Sequence, residues 1–139
     1  MAEDTQKVWT DYYQRRKSER LAEAAQLWEL MRTRGVTDAT ILALEFVHFG
    51  TSRDGLEKLA RQLSENYRVT VAEGPEAGYW SATGTSRPYG ITLNQQQHSD
   101  WVAFMADVAE SYGCVFAKWS LEALSLGAAF RSEEIDSAS

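Results

Sequence analysis

The chain is short of the residues on which metal, redox and nucleotide chemistry depend. One cysteine, Cys114, stands among 139 residues, with two histidines, His48 and His98, and two prolines. A lone cysteine excludes an internal disulfide and a four-cysteine zinc site. No sequence pattern pairs the histidines, and zinc wants three or four ligands at recognisable spacing. No metal or other cofactor is expected. A run of about 18 apolar residues, the minimum for a bilayer span, does not occur. The opening "MAEDTQKVW" lacks the basic-then-apolar layout of a secretory signal, so a cytoplasmic protein is expected. Basic residues are outnumbered, 14 Lys and Arg against 20 Asp and Glu, for a net charge of −6. Direct nucleic-acid binding, which needs clustered cations to displace counterions, is disfavoured.

Catalytic signatures are equally scarce. The G-x-S-x-G elbow, the Walker loop and the G-x-G-x-x-G turn are all missing. "GTSRPYG", residues 84–90, matches a phosphate loop in composition only, and its proline removes an amide that such a cradle would use. Glu45 and His48 could serve as base and orienter, but three positions apart on a strand they project to opposite faces. His48 reads as a strand-end residue bonded to a loop, and Cys114 as a buried structural thiol. No catalytic residue is assigned, and a non-enzymatic protein is expected.

What is present reads as one globular domain, with 44% hydrophobic and 24% charged residues. Residues 5–34 hold neither Gly nor Pro and predict a helix stopped by Gly35. Its apolar stripe lapses across "QRRKSER", residues 14–20, where one helix bends or two meet. "ATILALEFVHFG", 39–50, predicts a strand with Leu42, Leu44 and Phe46 on one side and Ala43, Glu45 and Val47 on the other. Thr51 or Ser52 caps a helix to about Asn66. "YRVTVAEG", 67–74, is a strand with Arg68 and Thr70 outward, joined through "GPEAG" in an antiparallel hairpin to a strand over 79–85. Asn94 and Gln97 form a capping pair for a helix carrying Trp101, Phe104, Met105, Val108 and Tyr112. "CVFAKWSLEA", 114–123, closes the sheet, with a short amphipathic helical piece around 124–130 and an acidic, frayed tail after it.

The order strand–helix–strand–strand–helix–strand predicts an α+β, ferredoxin-like sandwich: a four-stranded antiparallel sheet with helices on one face, preceded by a long N-terminal helix. Residues 1–36 form the helical extension, packed on or beside the domain; 37–122 the sandwich; 123–139 the helical piece and tail. An open sheet face can stack RNA bases on aromatics. Here the outward set would hold Glu45, Arg68, Thr70, Phe116 and Lys118, without the RNP signature and with Glu45 repelling phosphate. Trp28 and Trp101 fall in helical stripes and read as core. Trp9, Tyr13, Trp80, Arg87, Tyr89 and Trp119 are less obliged to be buried, and with the outward residues they form the candidate interface.

"ILALEFVHFG", "DGLEKLARQLSEN", "YRVTVAEG" and "FMADVAESYGCVFAKWSLE" together resemble the regulator of ribonuclease activity B family, over roughly residues 20–122. The resemblance implies a small, non-catalytic protein that binds an RNase E-like endoribonuclease and restrains RNA decay by protein–protein contact. The family's familiar Tyr-Asp-Gly-Trp run is replaced here by Phe116-Ala117-Lys118-Trp119. The competing expectation is a small-molecule sensor or enzyme with a pocket between sheet and N-terminal helix, using Arg87 and His48 as polar handles. A homodimer, joined by an edge strand or the sheet face, fits either reading.

Overall fold

The computed structural model describes residues 2–74, 76–87 and 89–135, without the side chains of 2–4. Helix α1, Ala2–Thr33, is a single unbroken element. The polar stretch at 14–20 does not divide it into two, and that stretch meets its neighbours through charges. Lys17 pairs with Asp107 at 3.0 Å, Arg20 with Glu23 at 2.6 Å, and Nε of Arg20 donates to the carbonyl of Phe116 at 3.0 Å. Beyond it Ala24, Leu27, Trp28 and Met31 are buried. Gly35, at φ +101°, ends the helix: its N–H donates to the Arg32 carbonyl and that of Val36 to the Met31 carbonyl, a Schellman pair with both apolar ends buried.

Then follow β1 (Ala43–Gly50), α2 (Arg53–Leu63), β2 (Arg68–Glu73), β3 (Trp80–Thr85), α3 (Gln95–Ser111), β4 (Val115–Ala123) and β5 (Ala128–Arg131). The five strands make one antiparallel sheet in the order β2-β3-β1-β4-β5. Ser52 caps α2 through the Gly55 N–H, and Asn94 with Gln97 forms the reciprocal capping box of α3. β1 starts later than the expected 39, since residues 37–40 turn on a Thr37–Thr40 hydrogen bond and Leu42 makes only a bridge to Ile91.

The expected helical piece at 124–130 is instead a one-turn 3-10 helix, Leu124–Leu126, reversed at Gly127 (φ +61°) into the fifth strand. The left-handed glycine breaks any helix there, and β5 hydrogen-bonds to β4 and buries Phe130. The segment that follows is tied down as far as Ile135: Ser132 is buried, and its Oγ accepts from the Trp119 N–H at 3.0 Å. The rest of the expected frayed tail, 136–139, lies outside the described residues, as does Pro88.

All three helices lie on one side of the sheet, and one buried cluster joins residues of α1, α2, α3 and the five strands' inner faces. α1 runs antiparallel along α3, with Lys17 beside Asp107 and Trp28 beside His98. Its 32 residues span about 48 Å against about 26 Å for the 17 of α3. Residues 5–11 therefore project beyond α3 and are exposed.

A bulge interrupts β4. His48 pairs with Phe116 but Val47 pairs with Lys118, leaving Ala117 as an extra residue. Phe116 and Trp119, three positions apart, consequently both face the core, with ring centroids 5.3 Å apart at 22°.

Candidate protein interface

The face away from the helices is the natural place for contact with another molecule, and register assigns its residues. Glu45, Val47 and Phe49 of β1 stand opposite Thr85, Thr83 and Ser81 of β3, with Glu122, Ser120 and Lys118 supplied by β4. Arg68, opposite Thr85, and Thr70, opposite Thr83, continue the face onto β2. Glu45, Arg68, Lys118 and Thr83 are exposed and Val47 half-exposed. Three expected interface residues therefore belong to this face as read from alternation.

Three others do not. Phe116 and Trp119 are 3% and 2% exposed, the bulge bringing Phe116 to the inward side that Trp119 shares with Leu121, so neither is available to a partner. Trp80 pairs with Gly50 and Glu73 on the helix side of the sheet, is half-buried, and carries the guanidinium of Arg53 from α2 at 4.9 Å from its ring centre. Phe104, expected in the apolar stripe of α3, is 43% exposed. Trp9 and Tyr13 are remote from the sheet's outer face. Trp9 lies on the projecting part of α1, in edge-on contact with Tyr12, while Tyr13 is half-buried at the seam of α1 with α3 and β4.

Arg87 and Tyr89 sit at the rim. "GTSRPYG" leaves the sheet at Ser86, whose hydroxyl accepts from the Leu44 N–H at 2.9 Å and whose own N–H donates to the Leu44 carbonyl. This holds the turn against β1. Arg87 then reaches back across the outer face to Glu45 at 3.4 Å and Glu122 at 2.5 Å, so it is shared between two carboxylates. Tyr89 is fully displayed beside Ile41 and Leu124, lining a groove of about 600 Å³. A second groove, of about 380 Å³, opens at the other end of β1 among Val47, Phe49, Tyr79 and Ser81. Between them the middle of the face is polar, with Lys118 paired to Glu133 and Arg131 to Glu134.

The seam between α1 and β4, where a ligand pocket would lie, holds only about 10 Å³ beside Arg20, Ala109 and Phe116. That is about the space of one water. The interior is a continuous aromatic group instead. His98 touches Trp28 and Trp119; His48 touches Phe46 and Phe116; Trp101 joins Phe46, Phe116 and Trp119. His48 is not a strand-end residue bonded to a loop: it is wholly buried, with Nε2 3.3 Å from the Met105 carbonyl of α3. Burial pushes both histidines down to about 4, and the Cys114 thiol up to about 11. The thiol is buried and donates to the Tyr112 carbonyl. Neither the sequence nor these positions make a nucleophile–base pair of these groups. Among the described residues no cluster of three or more His, Cys, Asp or Glu could hold a metal, and no helix is long and apolar enough to cross a membrane.

No family model matches the chain. A comparison with curated proteins likewise gives no match.

Proposed function

We propose that this chain is a non-catalytic protein-binding regulator that restrains an RNase E-like endoribonuclease by covering part of its surface. The observation that carries the reading is the one-sided packing of α1, α2 and α3, which leaves the outer face of β1, β3 and β4 open. The strand order β2-β3-β1-β4, with α2 and α3 as crossovers, supports a ferredoxin-like sandwich extended by β5. The resemblance of residues 20–122 to the regulator of ribonuclease activity B family supports the choice of partner. Charges on the outer face are largely paired with one another, so contact there is carried by the two apolar grooves, and charge steers approach rather than holding the complex.

The test is binding of the purified chain to an RNase E-class enzyme, by calorimetry, alongside cleavage of an RNA substrate. Val47→Arg and Thr83→Arg place charge in the middle of the outer face without touching the core. Either should weaken binding about tenfold or more and restore cleavage to the same degree. Absence of binding by the unaltered chain, or binding indifferent to both substitutions, overturns the proposal.

A further inference from the structure

The groove at the C-terminal end of β1 has the composition of a site for a positively charged planar group. Phe49 and Tyr79 stand edge to face, ring centres 6.5 Å apart at 74°, and each is about two-fifths exposed. Both rings line one concavity, and π faces left uncovered by the edge-on contact carry the negative potential that attracts a cation. Val47, Ser81 and Trp80 complete the walls, and among the described residues Glu76 is the only charged one lining the space. No cation lines it among the described residues. One ring of this neighbourhood already holds a guanidinium: that of Arg53, over Trp80 on the helix side.

We propose that this groove binds the guanidinium of an arginine side chain presented by the protein partner. The proposal deepens the protein-binding reading above and rests on it for the source of the arginine. A guanidinium is planar and weakly hydrated, so it stacks on aromatic faces at less desolvation cost than an ammonium, and its N–H groups can reach a carboxylate at the rim. Phe49 and Tyr79 supply the stacking surfaces, and Glu76 supplies the countercharge. An aliphatic side chain would fill the same volume but gain nothing from Glu76 or from the ring quadrupoles.

The experiment uses the full chain, isotopically labelled, titrated by NMR with N-acetyl-arginine methylamide and separately with N-acetyl-citrulline methylamide, its uncharged counterpart. The arginine compound should shift the amides of Phe49, Tyr79 and Ser81 saturably in the millimolar range, and bind about fivefold or more tightly than the citrulline compound. Phe49→Leu and Tyr79→Leu, which keep apolar bulk at half-exposed positions, should abolish that preference. Glu76→Gln should weaken arginine binding and reduce its salt dependence. Equal binding of the two probes, or no saturable shift at these amides, overturns the proposal. The partner assay separates this from the protein-binding reading. A partner that binds the chain and its Phe49→Leu variant equally leaves that reading standing and sinks the arginine site. Probe binding without partner binding does the reverse.

Discussion

Trp119 donates its indole N–H to Nε2 of His98 across 3.0 Å, inside the buried aromatic group. An acceptor nitrogen cannot carry a proton, so His98 is neutral with its hydrogen on Nδ1, for which the described residues offer no acceptor. His48 is arranged the opposite way: Nε2 faces the Met105 carbonyl and donates, leaving Nδ1 bare. Neither ring can take a second proton without stranding a charge in an apolar interior.

Stability should therefore depend on pH through these two rings. Both have folded-state values of about 4, depressed by burial from the ordinary 6.5. Above pH 6.5 both are neutral in the folded and unfolded chains, and their contribution is fully present. As pH falls from 6.5 towards 4 the unfolded chain takes up protons that the folded one refuses. Stability should fall with a limiting slope of about 2.7 kcal/mol per pH unit, approaching about 3 kcal/mol for each histidine. Urea unfolding at pH 7.5, 6 and 5 measures it. His98→Gln, which keeps an acceptor for Trp119, should remove about half the slope.

The bulge in β4 makes a prediction for Phe116 that strict alternation, which sets it outward with Lys118, would invert. Trp119→Ala or Phe116→Ala should each cost about 3–5 kcal/mol by opening a cavity and breaking the stacked pair. Lys118→Ala, between them on the exposed side, should change stability by about 0.5 kcal/mol or less. Chemical denaturation of the three variants distinguishes the two arrangements.

Gly84 lies directly beneath the Phe46 ring, where an added Cβ would run into three ring carbons. That ring is itself wedged against His48, Tyr67 and Trp101 and cannot retreat. Gly84→Ala should destabilise the fold by about 1–3 kcal/mol through overpacking. A thermal-melt comparison with Gly78→Ala, a site with open space but a positive φ of +88°, separates steric crowding from backbone strain.

Two serine hydroxyls extend the sheet's ladder past the ends of its strands. Ser86 serves the Leu44 N–H beyond β3, and Ser132 serves the Trp119 N–H beyond β5. Ser86→Ala and Ser132→Ala should each cost about 1–3 kcal/mol, because each leaves a buried amide without an acceptor. Amide exchange at Leu44 and Trp119 should quicken correspondingly.

Local signals made most of the elements legible. Gly35, Ser52, and Asn94 with Gln97 mark helix ends through interactions spanning a few residues, and the alternation of β1 and β2 assigns Glu45 and Arg68 to the outer face. The failures were long-range. Nothing near Ala117 announces the bulge, which is dictated by how β4 must meet β1, so alternation with Lys118 assigns Phe116 to the outside; Trp119, in step with Leu121, is inward by alternation, and only its aromatic type suggests an interface. β5 is four residues long and exists only because β4 offers an edge. Trp80 has an aromatic partner-seeking look, yet it alternates with Ala82 and Gly84 on the helix side, where Arg53 from another element covers its ring. One groove joins residues from two separate stretches and the other from three, and no single stretch carries their signature.

The supernumerary Ala117 also sets how the chain tolerates insertions and deletions. Removing that one small residue would set Phe116 directly before Lys118, opposite His48 and Val47, and plain alternation would then hold Phe116 and Trp119 inward with Lys118 outward. Loss of that alanine should therefore leave every side chain of the strand on its present side, whereas one residue added elsewhere in β4 would carry one end to the opposite face.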